Sequence, residues 1–256
     1  MIGNEDLRRA MRFSDETELM EKKRLARQAM RKAIFEFTAE KNRADAASKK
    51  IERLLLGSEL YAASDAVFIF VSDSSEVETR GIIASALNNK KRVALPRCID
   101  AYGTRAFYYL DAALPFEVQT EIGAYGLTEP KTLLEKVDTK SFPHASLFLV
   151  PALAFSRDGR RLGKGKGFYD RYIARISYAS PVLAGLCFSC QIISDVPSGV
   201  RDVSVSHIVC EDGIFPCVPP HDADRHRANC ALQAGANIDK KNDICYFPKR
   251  CVNIFF

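Results

Sequence analysis

Hydrophobic positions along the chain recur with two different periods. Between residues 15 and 37 they fall at helical spacing: Leu25, Ala29, Ala33 and Phe37 form one stripe beside Ala26, Met30 and Ile34. The spacing predicts a helix over 15–37 with Ser14 as its N-cap. The other face carries Lys22, Lys23, Arg24, Arg27, Arg31 and Lys32. A solvated face accounts for such a run; so does anion binding, because Lys23 and Arg27 stand four residues apart on one side. A second helix is predicted over 43–56, closed by Gly57.

Short unbroken apolar runs follow, of the kind that strands buried on both faces require. They lie at 66–70, 92–96, 146–155 and 182–188, and VSHIVCED at 205–212 reads as the last strand of the core. A helical stretch at 78–89 separates the first two, and another is predicted from about Phe168. Residues 97–110, with four aromatic side chains, read as a hairpin or edge strand. Residues 121–130 read as a turn-rich loop before a short charged helix. Strands alternating with helices predict an α/β fold: three layers, a mostly parallel sheet and helices on both faces. Ligands of such sheets bind beyond the carboxyl ends of the strands. SDSSEVE, PRC and FSRDGRRLGKGKGFYD all follow apolar strands and are expected to converge there. From about residue 214 the periodicity is lost. The expected organisation is therefore a domain over 15–213 and a poorly structured, cysteine-containing tail over 214–256.

Composition narrows this picture only a little. The formal net charge is +5 in 256 residues, which suits an anionic ligand and is weak support for nucleic acid. No nucleic-acid-binding module is readable, so nucleic acid is not expected as a partner. No run reaches membrane-spanning length. The acidic first twenty residues lack the apolar core of a signal peptide, so a cytoplasmic protein with free thiols is expected. Cys217, His221, His226 and Cys230 are residue types that suit zinc, in unusual spacing. Free cysteines are the preferred reading.

The chemistry concentrates in RRLGKGKGFYDR, residues 160–171. Gly163, Gly165 and Gly167 leave the backbone N–H groups accessible to phosphate oxygens, and Arg161, Lys164 and Lys166 add charge. A helix starting after them offers further free N–H groups. The stretch is neither a P-loop nor a dinucleotide fingerprint, since it spells G-x-G-x-G. A basic surface turn is the plain alternative.

The longer string VPALAFSRDGRRLGKGKGFYDRY resembles the signature of the 5-formyltetrahydrofolate cyclo-ligase family. SSEVETR at 74–80, VALP at 93–96, GLTEP at 126–130 and the pair Lys23 and Arg27 resemble further family segments in the same order. The resemblance covers about residues 20–213. It implies the fold of that family, related to the NagB, RpiA and CoA-transferase folds. It also implies ATP- and magnesium-dependent conversion of 5-formyltetrahydrofolate to 5,10-methenyltetrahydrofolate by a monomer. Carried over by position, Lys23 and Arg27 grip ATP phosphates, and Arg161, Leu162, Gly163, Lys164, Gly165, Lys166, Gly167, Phe168 and Tyr169 wrap the nucleotide. Val71, Glu76, Lys164 and Phe168 meet the folate. Tyr169, Lys166 and Glu76 are the catalytic candidates, and Asp170 and Asp202 the magnesium candidates. Phe168 stands where the family carries the first of two tyrosines. The competing readings are another ATP-dependent ligase or kinase, and a relative that binds nucleotide or RNA without turnover.

Overall fold

The computed structural model describes residues 4–100, 104–123 and 125–218. Its centre is strand β1, Ala66–Phe68, whose side chains alternate between two cores. Val67 faces one side and Ala66 and Phe68 the other, as the two-residue period of a strand demands. Beside β1 run β2 (Arg92–Cys98) on one flank and β6 (Ser146–Val150) on the other, both parallel to it. Outside β6 lie β9 (Val182–Leu186) and β10 (His207–Cys210), again parallel. Antiparallel strands close the two edges: β3 (Arg105–Tyr109) on β2, and β11 (Gly213–Pro216) on β10. The full order is β11-β10-β9-β6-β1-β2-β3.

Helices α2 (Lys41–Leu56) and α4 (Arg80–Asn88) cover one face, burying Ile51, Leu55, Ile82 and Ile83 against Val67, Leu95 and Leu149. Helix α6 (Phe168–Ile176) covers the other, where Tyr172, Ile173 and Ile176 pack with Phe68, Phe107 and Phe148. Short elements fill the connections: α3 (Glu59–Ala62), α5 (Phe116–Gln119), a hairpin of β4 (Thr120–Ile122) and β5 (Thr128–Pro130), and a ribbon of β7 (Ala154–Phe155) and β8 (Arg161–Leu162). Among the described residues no helix is long and apolar enough to cross a membrane.

Helix α1, Asn4–Ala39, runs past the predicted start, so Ser14 lies inside it rather than at its N-cap position. Of the two adjacent apolar stripes, the one through Ala26, Met30 and Ile34 is buried, whereas Leu25 is exposed. Those three pack on Leu153, Ala154 and Leu162, so α1 lies along the β7–β8 ribbon. This register turns Lys23 and Arg27 inward and leaves Lys22, Arg24, Arg31 and Lys32 to solvent.

Three other expectations change. The run 146–155 is two strands in separate sheets, interrupted at Pro151–Leu153, because proline cannot donate to a ladder. The short helix expected directly after residue 130 does not form; residues 131–145 turn and bridge Lys136 to Tyr108. Residues 121–130 are not merely a loop but the β4–β5 hairpin. The strand β11 also occupies the first residues of the expected tail. Of the zinc candidates only Cys217 is described, as a free thiol; His221, His226 and Cys230 lie outside the described residues.

Candidate functional site

Chain order reverses direction at β1: β2 is added on one side, while β6 returns to the other. Such a switch point opens a crevice at the carboxyl ends of the two strands. Phe70 and Val71 leave β1 there, and Pro151 leaves β6. A cleft of about 570 Å³ lies at this point. Every residue nominated from sequence lines it: Lys23 and Arg27 of α1, Val71 and Glu76 after β1, Arg161 through Asp170, and Asp202. Four segments remote in sequence therefore meet in one place.

The glycine-rich loop runs from β8 to α6. Gly165 has φ +106° and Gly167, the N-cap of α6, has φ +62°, backbone regions where a side chain is strained. A Cβ at Gly165 would also stand 3.4 Å from the Arg27 guanidinium carbon. Arg27 holds the loop by donating from Nε to the Gly163 carbonyl at 3.1 Å. Lys23 pairs with Asp202, whose Oδ2 also accepts the Gly199 N–H.

Two further ion pairs divide the loop's charges. Arg161, buried on β8, donates from Nη2 to Asp170 Oδ1 at 2.6 Å, and the same oxygen accepts the Val203 N–H at 3.1 Å. Burial alone raises the Asp170 carboxyl, but the Arg161 charge and the Val203 N–H outweigh it and hold the group below its usual range. Lys164 Nζ lies 2.8 Å from both Asp73 Oδ2 and Glu76 Oε1. Burial pushes the Glu76 carboxyl up in spite of that ammonium. Lys166 has no carboxylate partner among the described residues; its Nζ sits 3.9 Å over the Tyr125 ring.

Tyr169 packs edge-on against Phe148, and its buried hydroxyl has no partner among the described residues. Burial pushes this hydroxyl up to about 12, against the pull of Arg105, Arg161 and Lys164. It is therefore a proton-bearing donor at neutral pH, on a residue that lines the cleft, with no acceptor among the described residues.

Some lining residues escaped the sequence. Arg105 of β3 stacks its guanidinium 4.8 Å over the Phe168 ring, leaving Nε buried and unbonded among the described residues. Tyr125 and Glu129 reach the cleft from the β4–β5 hairpin, which Arg97 ties down through Glu121 and the Pro130 carbonyl. The matched GLTEP segment was the available signal for the hairpin. For Arg105 there was none.

The donor set limits how magnesium could be held. Asp170 and Asp202 are each engaged by a cation, and no group of three acidic, histidine or cysteine residues suited to a metal occurs among the described residues. The described residues thus form no protein-only cage. Two carboxylates at a phosphate cradle nevertheless fit magnesium, which is commonly held by one or two carboxylates together with substrate phosphates.

Known proteins bear on this geometry. The chain is 31% identical to the 5-formyltetrahydrofolate cyclo-ligase of Saccharomyces cerevisiae, over 55% of this chain and 72% of the yeast protein. It is 28% identical to the Mus musculus 5-formyltetrahydrofolate cyclo-ligase, over 59% of this chain and 76% of the mouse protein. The solved 5,10-methenyltetrahydrofolate synthetase of Aquifex aeolicus shares the fold, with a TM-score of 0.63 and 23% identity over 75% of this chain and 93% of that one. Residues 19–211 match the profile of one enzyme family, and that span contains every cleft residue named above. The chain belongs to the 5-formyltetrahydrofolate cyclo-ligase family.

Proposed function

We propose that this chain closes 5-formyltetrahydrofolate to 5,10-methenyltetrahydrofolate, converting ATP to ADP and phosphate. The formyl carbon is an amide carbon and a poor electrophile. In this reading the formyl oxygen attacks the γ-phosphorus and ADP leaves. N10 of the folate then attacks the activated carbon, and phosphate departs with the former formyl oxygen as the ring closes. The protein's contribution is alignment and charge stabilisation.

The cleft residues suit those tasks. Lys23, Arg27 and the N–H groups around Gly165 and Gly167 would take the phosphates. Glu76, with Val71 beside it, would accept from the ring nitrogens of the pterin. The Tyr169 hydroxyl would donate to the formyl oxygen as charge grows there. Lys166 is available to neutralise the transferring phosphoryl group. Asp170 and Asp202 would share magnesium with the phosphates; when bound, the ion screens phosphate charge. The observation that carries the reading is the convergence of the family's phosphate-side and folate-side residues on one cleft.

The test mixes the full chain with 5-formyltetrahydrofolate and Mg-ATP and follows methenyl absorbance. An ATP-dependent rise is expected. Folded protein that gives no rise overturns the reading, and ATP consumption without methenyl product points to a different acceptor.

A further inference from the structure

Asp73 lies behind the cleft wall, in the loop between β1 and α4, and no role has been given to it so far. Its carboxylate and backbone organise the two residues in front of it. Asp73 Oδ2 takes the Lys164 ammonium at 2.8 Å. Oδ1 accepts from the N–H and the hydroxyl of Ser75 at 2.9 and 2.6 Å, which fixes the loop. The Asp73 N–H donates to Glu76 Oε2 at 3.1 Å. Lys164 reaches the other oxygen of Glu76 at 2.8 Å. One ammonium from the glycine-rich loop is thus shared by two carboxylates of the opposite wall.

Sharing has a chemical consequence. An ammonium held by one carboxylate alone occupies one of its acceptor sites and, by neutralising its charge, weakens the others. With Asp73 drawing on the same charge, Glu76 keeps acceptor strength for a ligand N–H. The Lys164 head is also held against the wall after β1 by both carboxylates.

We propose that Asp73 is a positioning residue for the reaction: by dividing the Lys164 charge with Glu76, it sets both groups for the folate ring. This rests on the functional reading above. The groups facing Glu76 are Lys164 from the glycine-rich loop, Asp73 from its own loop and the Tyr169 hydroxyl from α6. Removing the Asp73 charge lets Lys164 close on Glu76 and withdraws a neighbouring negative charge. Both changes make Glu76 more acidic.

Asp73→Asn keeps the acceptor for Ser75 and replaces the Oδ2 that holds Lys164 with an uncharged amide nitrogen. Its KM for 5-formyltetrahydrofolate is expected to rise roughly ten-fold, with KM for ATP within about two-fold of the parent, as for loss of a charge-assisted contact on one substrate. The acid limb of kcat/KM for the folate should move to lower pH. Ser75→Ala removes the hydroxyl bond to Asp73 Oδ1 but keeps the backbone bond and the charge, and should leave the acid limb in place. An unmoved limb in Asp73→Asn, or equal rises in both KM values, overturns the proposal. A second readout needs no substrate: acylation of Lys164, followed by mass spectrometry against exposed Lys22, should be several-fold faster in Asp73→Asn. Unchanged labelling rejects the shared contact whatever the activity. Faster labelling in Asp73→Asn, combined with a parent protein that fails to turn over, leaves the contact standing and rejects the folate reading instead.

Discussion

Asp170→Ala is the substitution for which the structure sets the sharpest expectation. The sequence nominates Asp170 as a magnesium ligand, so its loss should cost turnover and leave the fold alone. The structure adds a second cost. The Arg161 side chain is 3% exposed and Asp170 20% exposed, and their 2.6 Å contact is the principal satisfaction of that guanidinium. The remaining contact of Arg161, to the Pro151 carbonyl, is long at 3.4 Å, and its Nε is buried and unbonded among the described residues. Breaking a fully buried pair costs about 3–5 kcal/mol; the part-exposed Asp170 reduces this to about 2–4 kcal/mol. The loss of the acceptor for Val203 N–H is included in that range.

Set against a typical total of about 5–15 kcal/mol, the variant should remain folded at room temperature but melt about 5–12 °C lower. Asp170→Asn retains oxygen acceptors for Arg161 and Val203 and should lose about half as much. Urea and thermal melts of ligand-free protein measure both. The Arg161→Met, Asp170→Ala double variant should be less destabilised than the sum of the singles, because no unpaired charge remains. The pH dependence has a definite sign. The folded Asp170 carboxyl lies below its unfolded value near ~3.9, so its contribution is fully present above that value. The contribution fades as pH falls through the lower, folded value. Melts of Asp170→Ala and parent should converge in acid. If Asp170→Ala melts within about 1 °C of the parent at neutral pH, the buried pair is not structural and the reasoning fails.

Two other outcomes follow from the cleft. Gly165→Ala places a Cβ at φ +106° and 3.4 Å from the Arg27 guanidinium; stability should fall by about 1–2 kcal/mol, with KM for ATP raised more than KM for folate. Unchanged ATP kinetics would detach this glycine from the nucleotide. The Tyr169 hydroxyl, raised by burial to about 12, stays protonated through the working range, so it supplies no alkaline limb below about pH 10. Tyr169→Phe should lower kcat without changing the pH profile there, and a limb near pH 9 that vanishes in that variant refutes its role as a neutral donor.

The central sheet was readable because its strands are buried on both faces and their apolar runs are continuous. Phe68, Leu95, Leu149 and Leu186 mark strands that nothing else in the chain imitates. Elements of two to four residues, such as α5 and the β7–β8 ribbon, carry too few positions for a period to show. Partner choice across long separations was also hidden. Helix α1 offered two adjacent apolar stripes, and local spacing could not rank Leu25 against Ala26. The deciding surface, Leu153 with Leu162, lies more than a hundred residues on. That choice separates Lys23 from Lys22: one pairs with Asp202 in the cleft, and the other meets Glu18 on the outside of the same helix. The same reasoning applies to Asp170. Its motif neighbours suggested a metal; the structure adds that its Oδ1 also holds Arg161, nine residues before it, and Val203 on a distant loop. Residue type and order therefore identify which groups enter the cleft. The division of charge among them, with Arg161 on Asp170, Lys23 on Asp202 and Lys164 on two carboxylates, depends on which surfaces pack. That division leaves Lys166, Arg27, Arg105 and the Tyr169 hydroxyl without carboxylate partners among the described residues, which makes them the groups free to meet substrate charge.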